Sequence, residues 1–245
     1  MHRIQLLPLG YAFGDMELTI YPVLLQDDKE LILVDCGYPE YLGKIEKKLQ
    51  EMSLSLNSVT KLLITHHDHD HIGAMSAIKE KYPHIEVLCS QEQASFLTGQ
   101  SKSIRLVQTE AIQGSLPEDE KKAGLAFIDL ISSMKPIKEV TIVNPGDVLP
   151  CCGGVEIVDT KGHMPGHISL YIRKEKTLIS GDALIIKKGK LAIALPEYAV
   201  DIKEAQESVR RLLNYAIDRI ICYHGGIYDK DIRSSLLGII RDFDS

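Results

Sequence analysis

Six consecutive residues, His66-His67-Asp68-His69-Asp70-His71, are all imidazoles or carboxylates, and they follow the apolar run Leu62-Leu63-Ile64 after a single threonine. Four of the nine histidines in the 245-residue chain lie in this stretch. Crowded imidazoles repel one another once protonated, and a divalent cation resolves the conflict. Neutral imidazole and carboxylate are ligands that Zn²⁺, Mn²⁺ and Fe²⁺ accept. The end of an apolar strand is also where α/β proteins hold their sites. The plain alternative is a solvated polar turn or an adventitious metal-binding patch.

The surrounding pattern predicts one α/β domain spanning residues 1–245. Strand-like residues 17–25 and 31–34 flank a polar turn at 26–29, which reads as a hairpin. Ile45, Leu49 and Met52 mark a helix over 40–52, and 61–65 is a short strand. Ile72, Met75 and Ile78 carry the His/Asp cluster directly into a helix. A strand at 85–89 precedes a helical, more polar insertion over about 91–138. In it, 115–118 resembles a capping box, and Ala123, Phe127, Ile131 and Met134 share one face. Strands resume at 155–160, 168–173 and 177–180. Residues 191–195, after the turn at 187–190, form either a wall of the site or a buried strand. Asp201 and Glu204 open a helix with Ala205, Val209, Leu212, Leu213 and Ala216 on its apolar face. A strand at 219–223 and a helix at 232–240 follow. Two rounds of strands then helix predict sheets covered by helices on the outside.

The balance of 28 basic against 34 acidic residues leaves a net charge of −6, which gives no basic field for nucleic acid or an anionic membrane. No apolar run approaches the roughly 18 residues of a membrane span, and residues 1–10 do not read as a secretory signal. The five cysteines are odd in number and lack CxxC spacing. They read as reduced thiols of a cytoplasmic protein, with Cys36 as a packed thiol.

Three distant segments share the chemistry of the cluster. Gly162-His163-Met164-Pro165-Gly166-His167, Ser180-Gly181-Asp182 and Tyr223-His224-Gly225-Gly226 each place His or Asp beside glycine at a strand end. Any one of them alone reads more readily as a capping or buried structural residue. Their combination is harder to dismiss.

Together with Val34-Asp35-Cys36-Gly37, these segments resemble the metallo-β-lactamase superfamily, in particular its glyoxalase II and lactonase-like hydrolases, in order and approximate separation. The resemblance implies a four-layer αββα sandwich of two mixed β-sheets with the site at one edge. Members commonly carry His-x-His-x-Asp-His. The register starting at His66 keeps Asp70, His71 and Gly73 in place and puts Asp68 where the second His usually lies. The register starting at His67 leaves His71 and Ile72 where Asp and His are needed. In the chosen register His67 and His69 point away from the metals. The resemblance then implies one ion held by His66, Asp68 and His163 and another by Asp70, His71 and His224, with Asp182 bridging. Asp35 and His167 would orient ligands. Asp68 adds an oxygen ligand and a negative charge, which favours a harder metal and makes a bound water less acidic.

The implied cofactors are two divalent ions, Zn first, with Mn or Fe as alternatives. The implied chemistry is attack by a metal-bridging hydroxide, between ions roughly 3.5–4 Å apart, on a small ester, thioester, lactone or amide. Asp70 would orient the nucleophile and pass a proton to the leaving group. Rival readings are a phosphodiesterase, disfavoured by the acidic charge, an iron-dependent redox enzyme of the same fold, and a binding module without turnover. The expected partner is a small-molecule substrate. The insertion serves either as a lid over the site or as part of the outer helix layer or a homodimer contact.

Overall fold

Residues 2–13, 16–194 and 198–244 are described by the computed structural model. The first half contains β1 (Arg3–Leu6), β2 (Leu9–Phe13), β3 (Met16–Ile20), β4 (Val23–Gln26) and β5 (Leu31–Val34). It continues through α1 (Leu42–Glu51), β6 (Lys61–Leu63), α2 (His69–Ile72), α3 (Met75–Lys81) and β7 (Glu86–Cys89). Three helices, α4 (Gln91–Leu97), α5 (Ile104–Gln113) and α6 (Glu118–Ser132), connect β7 to β8 (Thr141–Ile142). The second half holds β9 (Val148–Leu149), β10 (Val155–Asp159), β11 (Ile168–Ile172), β12 (Thr177–Gly181), β13 (Ile185–Lys187) and β14 (Lys190–Ala192). It closes with α7 (Ile202–Leu212), β15 (Arg219–Cys222), β16 (Gly226–Tyr228) and α8 (Ile232–Asp244).

Two six-stranded mixed sheets result, ordered β1-β4-β5-β6-β7-β8 and β16-β15-β12-β11-β10-β9. The period of two along each strand explains how they stack. Leu33, Leu62 and Val87 join Ile45, Leu49 and Ile78 in a core under α1 and α3. Their sequence neighbours Ile32, Leu63 and Leu88 meet Ile157, Leu170, Ile179 and Ile221 of the second sheet. On the far side, Leu178 and Ile220 pack with Val209 and Leu212 of α7 and Leu236 of α8. Strands buried on both faces read as continuous apolar runs, which is why Leu31-Ile32-Leu33-Val34 shows no alternation. The layers are helix, sheet, sheet, helix.

Several boundaries differ from expectation, each for a local reason. The run 17–25 breaks at Pro22: β3 pairs with β2, and β4 pairs with β5 around the predicted turn. The cluster does not enter one continuous helix, because Gly73 separates α2 from α3. Its α-carbon lies against the Tyr38–Pro39 backbone, where a methyl group would sit 2.1 Å from the Pro39 nitrogen. Ser115 makes no capping box; its hydroxyl donates to the Ile112 carbonyl, and α6 starts after Pro117. Residues 185–192 form the β13–β14 hairpin rather than a strand at 191–195, and Leu195 lies outside the described residues. The strands β1, β2 and β16 carry too little pattern to be read in advance. The Asp201 cap is present, with Oδ1 accepting from the Glu204 amide at 3.0 Å. Among the described residues no helix is long and apolar enough to cross a membrane.

Candidate metal centre

The strands β5, β6 and β7 run parallel in one sheet, as do β12 and β15 in the other. Their carboxyl ends open at the same edge. There the sheets meet through the Ile168 amide on the Thr65 carbonyl at 3.2 Å, and an Ile20–His224 bridge joins the β2–β3 pair to the end of β15. Asp35 follows β5, His66 to His71 follow β6, His163 follows β10, Asp182 follows β12 and His224 follows β15. All seven expected ligand residues converge on this edge.

Their donor atoms form three overlapping groups, His66–Asp68–His163, His66–His71–Asp182 and Asp70–His71–His224, each with its atoms within 4.8 Å of one another. Asp68 Oδ2 lies 3.1 Å from His163 Nε2 and 3.5 Å from His66 Nε2. Asp70 Oδ2 lies 3.2 Å from His224 Nε2 and 3.9 Å from His71 Nε2. Asp182 spans both groups: Oδ1 is 3.4 Å from His71 Nε2, and Oδ2 is 3.5 Å from His224 Nε2 and 3.7 Å from His163 Nε2. Ligands about 2.0–2.1 Å from a tetrahedral ion stand roughly 3.3 Å apart, so these spacings suit one. Hydrogen bonding among the residues does not satisfy them, since the buried atoms His66 Nε2, His71 Nε2 and Asp182 Oδ1 have no hydrogen-bond partner. Both the donor set and its unpartnered buried atoms fit divalent metal.

The other ring nitrogens of His71 and His66 are occupied, and this aims their Nε2 atoms inward. His71 Nδ1 meets Asp35 Oδ2 at 2.8 Å, and His66 Nδ1 meets the Thr65 hydroxyl at 3.0 Å. Asp35 also accepts from the Thr65 amide and hydroxyl, both at 2.8 Å. It does so from a left-handed backbone, φ 59°, a strained conformation for a non-glycine residue that this network holds in place. His167 bonds Thr160 through Nδ1 and accepts the Asp182 amide at Nε2, 3.1 Å away. It thus orients the segment carrying Asp182. Gly181, at φ +50°, leaves room for that ring, because a β-carbon there would approach His167 Nε2 to 2.7 Å.

Of the two remaining histidines of the cluster, His67 turns away from the donor groups and His69 borders them. His67 is stacked on Phe96 at 3.9 Å and bonded to Gln93. His69 stands between the rings of Tyr38 and Phe127, at 5.5 and 5.0 Å, with its Nδ1 3.8 Å from Asp70 Oδ1. Two contributors have no signal in the sequence. The Tyr223 hydroxyl donates to the Asp70 carbonyl and accepts the Gly37 amide, which ties α2 to β15. Arg105, from α5, grips both oxygens of Asp68, with Nε at 3.0 and 3.2 Å and Nη2 at 2.9 Å. The negative charge that Asp68 adds therefore has a cationic partner.

The electrostatics divide the histidines. Burial, helped by neighbouring His71, holds His66 down to about 4. Burial with His66 and His163 keeps His167 well below its usual range. Burial also opposes charge on His71 and His224, but carboxylates prevail: Asp182, Asp35 and Asp70 lift His71 well above normal, and Asp182 and Asp70 lift His224 to about 10. Burial pushes the three aspartates up, yet facing imidazoles, and Arg105 for Asp68, hold them below the usual carboxylate range.

Comparison with known proteins bears on the family and the fold. The sequence model of the metallo-beta-lactamase superfamily matches residues 17–224. A probable metallo-hydrolase of Bacillus subtilis, YflN, is 27% identical over 240 residues, covering 91% of this chain and 86% of its own. The hydroxyacylglutathione hydrolase GloC of Haemophilus influenzae is 29% identical over 180 residues, 69% of this chain and 72% of its own. A crystal structure of a metallo-beta-lactamase family protein from Thermus thermophilus superimposes with a TM-score of 0.74 at 23% identity, covering 98% of this chain and 79% of that one.

Proposed function

The chain belongs to the metallo-beta-lactamase superfamily, and from that premise we propose that it is a metal-dependent hydrolase that holds two divalent ions, zinc first among them, and cleaves a small ester, thioester, lactone or amide. The observation that carries this reading is the convergence of seven His and Asp residues from both sheets, with buried, unpartnered Nε2 atoms at the centre. His66, Asp68 and His163 would hold one ion, Asp70, His71 and His224 the other, and Asp182 both. When bound, such ions acidify a water molecule and polarise the oxygen it attacks.

The chain's own residues supply the rest. Asp70 is buried between His71 and His224 with its backbone anchored by Tyr223. It can orient the attacking water and carry its proton to the leaving group. Asp35, Thr65 and His167 keep the ligand rings and the Asp182 backbone in register. Tyr11, Tyr38, His69 and Phe127 form a chain of ring contacts of 5.0–5.5 Å beside Asp70, a wall suited to an apolar acyl group. The GloC relative, named for hydrolysis of an acyl group, supports that class. Five free, buried cysteines fit the reduced setting of the cytoplasm.

The test is a panel of p-nitrophenyl esters, thioesters, lactones and bis(p-nitrophenyl) phosphate offered to metal-loaded protein. Acyl substrates should turn over and lose turnover on chelation. Faster cleavage of the phosphodiester would replace this reading with the phosphodiesterase one.

Loading should also release protons. His71 and His224 hold protons near neutral pH, because both are raised, and a metal ligand must give its proton up. Metal affinity should therefore climb with pH until His224 has titrated, near 10. The same shift stabilises the metal-free fold fully below about 6.5, and that contribution fades as pH rises toward 10. Titration with Zn²⁺ in weak buffer with a pH indicator reads the release directly. Absence of release at pH 7 would contradict the assignment of His71 and His224.

A further inference from the structure

The two halves of the centre sit in different fields. Around Asp70, His71 and His224 the unshared charges are anionic: Asp70 itself, and Asp35 bonded to His71 Nδ1 at 2.8 Å. Around His66, Asp68 and His163 the unshared carboxylate, Asp68, is matched by Arg105. The guanidinium is buried, 9% exposed. It also reaches the Tyr198 carbonyl at 2.6 Å, Gln108 Oε1 at 3.2 Å and His163 Nε2 at 3.4 Å. It thus lies against two of the three donor residues of that group, with the third, His66, 3.5 Å from the same Asp68 oxygen.

Resting on the metallohydrolase reading above, we propose that Arg105 is a positioning residue that holds Asp68 and sets the affinity of the His66–Asp68–His163 position, so that the two metal positions fill unequally and this one fills second. A cation there shares its carboxylate with a fixed positive charge at a few ångströms, where repulsion in a poorly solvated site is strong. Arg105 cannot relieve this by losing its proton. Two backbone-anchored contacts, its place on α5 and its bond to the Tyr198 carbonyl, keep it from swinging away. The insertion thereby reaches into the centre and tunes it through one side chain.

The test is titration of metal-free protein with Zn²⁺ in competition with a chromophoric chelator, with Co²⁺ absorption counting each equivalent. Wild type should show one tight and one weaker equivalent. Arg105→Met should tighten the weaker equivalent at least tenfold and leave the tight one within about twofold, while Arg105→Lys, which keeps the charge, should stay near wild type. A purely structural role would move both equivalents together or neither. Thermal melting checks that each variant folds, and Arg105→Gln replaces Arg105→Met if the latter does not. Two equal equivalents in wild type, or a weaker second equivalent in the neutral variant, overturn the proposal alone. A folded wild type that takes up no Zn²⁺ overturns the metallohydrolase reading and this proposal with it.

Discussion

Replacing Asp182 with alanine should abolish hydrolysis and lower the metal content together. Its two oxygens face His71 on one side and His163 and His224 on the other, so its loss opens both positions at once. The expected fall in kcat exceeds the roughly 10- to 100-fold typical of removing a residue that only orients a ligand. Steady-state kinetics with elemental analysis of the same preparation measures both. The fold should survive, because His71 keeps Asp35 and His224 keeps Asp70 as carboxylate partners. His167→Ala provides the contrast: it leaves the donor set intact and should fall within that 10- to 100-fold range. Equal losses in the two variants would mean that Asp182 does no more than position its neighbours.

Asp68→His should be costly by a different route. It restores the more common motif of the superfamily, yet it leaves Arg105 buried beside an imidazole that cannot accept a bidentate pair. Breaking a buried ion pair by removing one partner costs about 3–5 kcal/mol, and a loss of that size is expected in denaturant unfolding. Asp68→His combined with Arg105→Met removes both charges and should recover most of it. A double-mutant cycle therefore returns a large favourable coupling. Additive effects would show that the pair seen in the structure does not contribute in solution.

Much of the centre was legible because its residues are chemically improbable where they stand. Six consecutive imidazoles and carboxylates at a strand end, and His or Asp beside glycine at three more, leave few structural explanations. The register starting at His66 comes from the resemblance to the superfamily's His-x-His-x-Asp-His pattern, and the structure places His67 on Phe96 and His69 against Phe127. The layered fold was legible from two rounds of strands followed by helix, and its four-layer order from the family resemblance. What was hidden depends on distance along the chain. Arg105 meets Asp68 across 37 residues from a helix whose sequence marks it only as polar. Tyr223 reaches Asp70 across 153. The break between α2 and α3 falls where the Gly73 amide donates to the Gly37 carbonyl instead of within the helix, a contact that no local pattern records. Pro22, by contrast, was a visible interruption of the 17–25 run, and its effect on pairing is the ordinary one for proline in a sheet.

Side chains from both sheets should grip divalent metal between them, and anomalous diffraction at the zinc edge from metal-loaded crystals would locate it. The account predicts two peaks, one about 2.0–2.2 Å from donors of His66, Asp68 and His163 and one equally close to Asp70, His71 and His224, with Asp182 within reach of both. Strong peaks elsewhere on the molecule, with these seven residues bonded only to one another, would contradict it.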